Sequence, residues 1–351
     1  MKKALILLTL LTISLSAFAQ ASFIELCKTG TVEQIEAALK GGASVEERGE
    51  YAYTPLMMAA RDNPDPKVIS LLLKAGAKLD DRSETDKTPF MYACQGNPNP
   101  EVIRLMVDSG ASIKEQTKDG STPLLYASCL NQNPDIITLL MKLGASITDR
   151  STDGWSPLLL AASDNKNPEV ISLLLKSGAS ISERTPDGYT PLLIASRNNP
   201  NPEVISLLLK SGASIKEHTI KGWSPMFLAA GYNQNPEVIA LLLKSGASIN
   251  EKDSDGWSAL LSASCTNQNP EVISLLLKSG ASIFERTPDG LTPLHYAAML
   301  NPNPEIVLAL LKAGADGKLK DKDGKTAFDY AKDNPKLKDT PAYWALNDAQ
   351  Y

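Results

Sequence analysis

Thr190-Pro-Leu-Leu-Ile-Ala-Ser-Arg-Asn-Asn-Pro-Asn-Pro-Glu-Val-Ile-Ser-Leu-Leu-Leu-Lys-Ser-Gly212 decides the fold, because it spells out two helices and the turn between them. Thr190 is an N-cap residue, and Pro191 suits the first helical position, where no N–H donor is needed. Leu192, Ile194 and Ala195 line the apolar side of a short helix, with Ala195 small enough to let neighbouring helices approach. Asn199-Pro200-Asn201 ends that helix and turns the chain. Asn201-Pro202-Glu203 then repeats the start signal, with a capping amide, Pro at the first position and an acid in the first turn. Val204, Ile205, Leu207, Leu208 and Leu209 make the second helix apolar over much of its circumference, as expected of a helix packed on both sides. Lys210 complements the helix C-terminus, and Gly212 is placed to take the left-handed conformation that stops it. Ala213 to Gly222 reads as an extended, polar connection ending in a turn.

The unit recurs. Thr-Pro-Leu or a variant begins at Thr54, Thr88, Thr122, Ser156, Thr190, Ser224, Ser258, Thr292 and Thr326, in steps of 34 residues. An invariant alanine column (Ala59 to Ala331) and a glycine column (Gly42 to Gly314) run in step with it. A fixed period of this length means stacked supersecondary units, each burying its apolar face against its neighbours.

The pattern resembles the ankyrin repeat from Ser22 to the C-terminus. Thr292-Pro-Leu-His-Tyr-Ala-Ala298 and Leu310-Leu-Lys-Ala-Gly-Ala-Asp316 carry the likeness best. The resemblance implies an all-α solenoid of about ten stacked helix-turn-helix units with outward β-hairpin fingers. The repeat departs from the family's length by one residue, in the Asn-x-Asn-Pro turn between the helices. The family histidine appears only at His295; Met57, Met91, Leu125, Leu159, Leu193, Phe227 and Leu261 replace it, so its turn bonding is expected to be mostly absent.

Residues 1–19 read as a secretory signal peptide: Lys2 and Lys3, an apolar run from Ala4 to Leu15, and Ala17-Phe18-Ala19 before a cleavage site at Gln20. A capping unit is expected over 20–51, eight 34-residue repeats over 52–325 and a C-terminal capping unit over 326–351, where Tyr343 and Trp344 cover the last apolar face. The protein is expected outside the cytoplasm, either periplasmic or secreted, with no membrane span in the mature chain.

In a stack, each alignment column becomes a surface stripe. The residue before each start reads Tyr53, Lys87, Ser121, Trp155, Tyr189, Trp223, Trp257, Leu291, Lys325. Large aromatics in adjacent units are the material of interaction hot spots, or else rings that stack on one another and stiffen the fingers. By resemblance this position edges the concave groove used for partner contact. Exposed first-helix residues Arg197, Asn198, Gly231, Tyr232, Cys265 and Thr266 are expected around it. An acid column (Glu47, Asp81, Glu115 and onward) followed by a mostly basic column (Arg48, Arg82 and onward) is expected to pair between fingers. The Asn63-to-Asn301 column is expected to be structural, as turn formers or an amide ladder.

The formal charge is −5, without a basic block, which argues against nucleic acid as a partner. Two distant histidines and four cysteines argue against a metal site, and the cysteines are expected as free thiols. Gly324-Lys325-Thr326 and Glu251-x-Asp253-x-Asp255-Gly256 imitate fragments of a phosphate loop and a calcium loop. The first lacks the leading Gly at Leu319; the second has Ser262 where the bidentate Glu belongs. No cofactor and no catalysis are expected. The expected function is binding of another protein through Trp155, Tyr189, Trp223 and Trp257, with Arg197, Asn198 and Tyr232 beside them. The alternative is a cell-wall or surface glycan stacked on the aromatic row.

Overall fold

The structure, a computed structural model, describes residues 22–351; the segment read as a signal peptide lies outside the described residues. These residues form twenty α-helices and one short 3-10 turn, Glu50–Ala52. They fall into two compact units, one ending at Thr152 and one running from Asp153 to Tyr351. Among the described residues no helix is long and apolar enough to cross a membrane.

The first unit stacks four helix pairs: Phe23–Thr29 with Val32–Lys40, Pro55–Asp62 with Pro66–Lys74, Pro89–Gly96 with Pro100–Asp108, and Pro123–Leu130 with Pro134–Lys142. The second stacks six: Pro157–Asp164 with Pro168–Lys176, Pro191–Asn198 with Pro202–Lys210, Pro225–Tyr232 with Pro236–Lys244, Ala259–Thr266 with Pro270–Lys278, Pro293–Leu300 with Pro304–Lys312, and Ala327–Ala331 with Pro341–Ala349. Within each unit, first helices pack on first helices and second helices on second helices.

The caps form as the sequence dictates. Thr190 Oγ1 accepts from Leu193 N–H at 3.3 Å, and Asn201 Oδ1 from Glu203 N–H at 3.0 Å. Gly212 ends its helix at φ 101°, where a side chain would be strained. The burial differs from expectation. Every residue of the first helix from Pro191 to Ser196 is buried, whereas the second helix buries Val204, Ile205 and Leu208 and leaves Leu207 and Leu209 partly open. The first helix, short and apolar all round, is the one enclosed between neighbours.

The Asn column is a ladder of a different kind from amide on amide. Asn233 Nδ2 donates to Ser196 O at 3.1 Å and to Asn199 O at 2.9 Å, both in the preceding repeat. Its Oδ1 accepts from Asn235 N–H, and Asn235 Nδ2 reaches Pro200 O at 2.7 Å. Asn97, Asn267 and Asn301 are bonded alike, and all are buried. The residue that lengthens this turn thus lies in a loop whose amides tie each repeat to the one before.

The fingers close as turns. Thr185 N–H donates to Tyr189 O and Gly188 N–H to Thr185 O, and no strand forms among the described residues; the only bridge between these is Lys252 with Ser258. With one closing pair per finger, there is no ladder to make the expected hairpin. Finger charges pair across repeats in the first unit, Arg48 with Asp81 at 2.5 Å and Arg82 with Glu115 at 2.6 Å. In the second unit His218 Nε2 lies 2.8 Å from Glu251 Oε1 of the next finger, Arg184 donates to the carbonyls of Gly188 and His218, and Glu285 accepts from the capping hydroxyl of Ser258. At the C-terminus Tyr343 packs on Phe328 at 4.9 Å between ring centroids, but Trp344 remains 53% exposed rather than covering the end. His295 keeps the family's turn bonding: Nδ1 faces Thr292 N–H at 3.2 Å, and Nε2 lies 3.2 Å from Lys325 O. Met57 substitutes weakly, its sulfur taking Thr54 N–H at 3.4 Å. The four cysteines are free thiols, with Cys27 and Cys94 in the core.

Candidate functional site

The finger turn explains how the aromatics are held. In two successive repeats a threonine hydroxyl closes the turn beneath the aromatic residue: Thr185 Oγ1 accepts from Tyr189 N–H at 3.1 Å, and Thr219 Oγ1 from Trp223 N–H at 3.2 Å. In the next repeat the closing residue is Asp253. Its Oδ1 accepts from Trp257 N–H at 2.8 Å and from Asp255 N–H at 3.0 Å. A carboxylate has a second oxygen where threonine has a methyl group. That oxygen, Oδ2, accepts from Trp223 Nε1–H of the preceding repeat at 3.1 Å.

Trp223 is thereby fixed on three sides. It stacks on Phe227 with an interplanar angle of 11° and centroids 5.7 Å apart, bonds to Asp253, and has Lys221 Nζ 5.1 Å from its ring centroid. Trp257 leans on Tyr296 of the following repeat at 4.5 Å. These two tryptophans therefore pack on residues of the first helices rather than on each other. Tyr189, Trp155, Trp223 and Trp257 are all half-buried, the fingers lying close enough to the helices to cover part of each ring.

Between Trp223 and Trp257 lies a pocket of about 320 Å³, lined by Phe227, Tyr232, Asp253, Asp255, Ser262, Cys265 and Thr266 as well. It joins two successive repeats. Gly231 belongs to its construction: a β-carbon there would lie 2.3 Å from Ser262 Oγ, so the position is buried, not exposed as its sequence suggested. Thr266 Oγ1 instead donates to Gly231 O at 2.8 Å, locking the two helices. Cys265 is half-buried, and burial pushes its thiol up.

Arg197 and Tyr232 are brought together, the guanidinium carbon 4.6 Å from the ring centroid. Arg197 Nε is buried without a hydrogen-bond partner. Burial raises the Tyr189 phenol above its ordinary value, opposed by the nearby Arg197 charge. Tyr189 and Trp223 share a smaller cavity of about 110 Å³ with Asp187, Thr219, Ile220 and Lys221. Asn198 is exposed and anchored, its Nδ2 donating to Ser163 Oγ of the preceding repeat at 2.9 Å. The arrangement therefore gathers Tyr189, Arg197, Trp223, Tyr232 and Trp257 on one face of the second unit.

Sequence reasoning missed Asp253 and Tyr296 as parts of this site, and read Phe227 only as a missing histidine. A signal for Asp253 existed: its column reads Gly49, Ser83, Thr117, Ser151, Thr185, Thr219 and Thr287, with a carboxylate only at Asp253 and Asp321. The described residues contain no group of His, Cys, Asp and Glu able to hold a metal ion.

Comparisons with known proteins agree with this architecture. A family model described as ankyrin repeats (3 copies) matches residues 56–151, 147–219 and 198–287, and one described as ankyrin repeats (many copies) matches 276–331. No curated protein matches the chain. Among solved structures, the human ASB11 ankyrin repeat domain is similar, with 25% identity and a TM-score of 0.53, over 66% of this chain and 99% of that one.

Proposed function

Because the chain belongs to the ankyrin-repeat family, we propose that it is a binding scaffold that holds a partner protein on the concave side of its second unit. Ankyrin repeats are protein-interaction modules and typically carry no catalysis. The observation that carries the reading is the pocket walled by Trp223, Phe227, Tyr232 and Trp257. Aromatic side chains fixed by their own packing lose little entropy when a partner covers them, which is how a few residues supply most of an interface's energy. Arg197, Tyr189 and the exposed Asn198 extend the face on one side, with Trp155 one repeat before them.

The reading extends to location. The pattern of residues 1–19 supports export, so the partner is sought in the periplasmic or secreted fraction of the host. Mass spectrometry of the purified native protein is expected to place its N-terminus at Gln20; a retained Met1 would sink the export proposal.

The binding test compares two baits in affinity capture from that fraction: the mature chain, and one with Trp155, Tyr189, Trp223 and Trp257 all changed to alanine. Circular dichroism establishes first that both are folded. A protein held by the first bait and lost by the second is the expected result. Retention of the same partner by both places the site elsewhere, and capture of polysaccharide alone would favour the glycan reading.

A further inference from the structure

Two adjacent cavities share Trp223 and differ in charge. The smaller, beside Tyr189, contains Lys221, which lies over the Trp223 ring and supplies a cation from within the chain. The larger is walled by four aromatic rings and carries two carboxylates, Asp253 and Asp255, with no Lys, Arg or His among its lining residues. Asp255 is exposed, and among the described residues its carboxylate makes no hydrogen bond or ion pair. Arg197 approaches Tyr232 from the preceding repeat but does not line the pocket. Ring faces are electron-rich, so rings and carboxylates together favour a cation.

The first unit contains such a cation in a comparable setting. Lys87, in the same finger column as Trp223, extends over the first helices, with Nζ 4.3 Å from the Tyr126 ring centroid and 5.5 Å from that of Tyr92. It donates to Gln95 Oε1 at 2.8 Å. Aromatic residues beneath the fingers therefore accept basic side chains in both units, Lys87 in one and Lys221 and Arg197 at the edges of Trp223 and Tyr232 in the other, while no base lines the pocket between Trp223 and Trp257 itself.

We propose that the pocket between Trp223 and Trp257 receives a basic side chain of the partner protein, arginine in preference to lysine. This deepens the proposed concave-face function and rests on it. A guanidinium is planar and weakly hydrated, so it can lie on an indole or phenol face while donating sideways to a carboxylate. The open Asp255 carboxylate and the lone pair that remains on Asp253 Oδ2 are placed to accept such bonds. Ser262, Cys265 and Thr266 form the neutral remainder of the lining. The partner would present an exposed arginine on a loop or extended segment able to enter between two fingers.

The test uses the mature chain with indole-¹⁵N tryptophan and three probes: N-acetyl-arginine amide, N-acetyl-norleucine amide and tetramethylammonium chloride. Single Trp→Phe variants assign the four indole signals. The arginine probe is expected to shift the Trp223 and Trp257 signals with a dissociation constant on the order of 1 mM, leaving Trp344 unmoved. Asp255→Asn, which alters an exposed group with no bonding partner, is expected to weaken this about tenfold. Equal shifts by norleucine would reduce the site to an apolar pocket and overturn the proposal. No shift with arginine would overturn it as well. Saturation by tetramethylammonium without arginine would replace the basic side chain by a quaternary ammonium. The concave-face reading is separable: partner capture that survives Asp255→Asn undiminished but fails with Trp223→Ala and Trp257→Ala would retain that reading and discard the arginine.

Discussion

Lys87 and Trp223 occupy the same finger position four repeats apart, and these two repeats treat it in opposite ways. At Lys87 the position supplies a cation that lies against Tyr126 and Tyr92. At Trp223 it supplies a ring, stacked on Phe227 and bonded to a carboxylate of the next repeat, beside a pocket lined by acids without a base. The backbone device beneath both is the same: a hydroxyl or carboxylate oxygen closing a finger turn. The repeat thus fixes where a side chain stands, and the identity at a few columns decides whether the face is self-satisfied or open to a partner. Proposing the second unit as the binding unit follows from that difference.

The comparison assumes a common scaffold, and the buried amides test this with the largest expected effect. Asn97→Ala in the first unit and Asn267→Ala in the second each remove two bonds to the preceding repeat and strand buried carbonyls. Each is expected to lose about 3 kcal/mol, read as faster amide exchange in the two repeats it joins. Near-equal losses mean that the two stacks are held alike. A loss at only one would end the claim that the units differ only at their surface columns.

Trp223→Ala comes next, at about 2 kcal/mol, because it removes a stacked ring and the indole hydrogen bond donated to Asp253. Urea unfolding checks the value. A change below 0.5 kcal/mol would mean the ring is not fixed in place, and the preorganisation behind the binding proposal would fail with it.

Lys87→Met is smaller and depends on pH. Burial holds the Lys87 ammonium below its ordinary value of 10.5, so the folded chain binds this proton less tightly than the unfolded chain. Stability from this group is therefore fully present above 10.5 and is lost as pH falls through the lowered folded value. Unfolding midpoints measured across that window are expected to rise for the native sequence relative to Lys87→Met. Parallel curves would mean that Lys87 is solvated and not seated against the tyrosines.

The fold was largely legible in the sequence because its signals are local. Thr190-Pro191 and Asn201-Pro202 each cap a helix within a few residues, and a 34-residue period repeats the instruction. The aromatic stripe was legible as a column, and so were Arg197 and Tyr232. Their contacts were not, because these depend on how far one repeat is displaced from the next. Asp253 meets Trp223 across 30 residues, and Asn233 meets Ser196 across 37, neither separation being the repeat length. An alignment in steps of 34 groups equivalent residues, so it brings out bonds within a column, such as Asn233 with Asn199, and hides those that join different columns. Gly231 illustrates the cost of missing this: its column looked exposed, yet Ser262 of the next repeat closes over it.

The finger turns give the smallest test of how the units differ. The second unit has glycine at the left-handed position of each of its turns, from Gly154 at φ 81° to Gly324 at φ 77°. The first unit has Ala52 at φ 57°, Asp86 at φ 63°, and only then Gly120. Asp86 has compensation, since its Oδ2 accepts from Lys118 N–H of the next finger at 2.8 Å. Ala52 has only a methyl side chain, which cannot bond, and Tyr51 beside it is left-handed too, at φ 56°. A left-handed alanine is strained by about 1–2 kcal/mol, of which glycine gives back about half through its extra freedom in the unfolded chain. Ala52→Gly is therefore expected to stabilise the first unit by about 0.5 kcal/mol, a small upward shift of its unfolding midpoint. Asp86→Gly is expected to show no such gain, because relief of strain is offset by the lost bond. Destabilisation by Ala52→Gly would mean that its turn is not held left-handed, and the contrast between strained and relaxed fingers would then not extend to the first repeat.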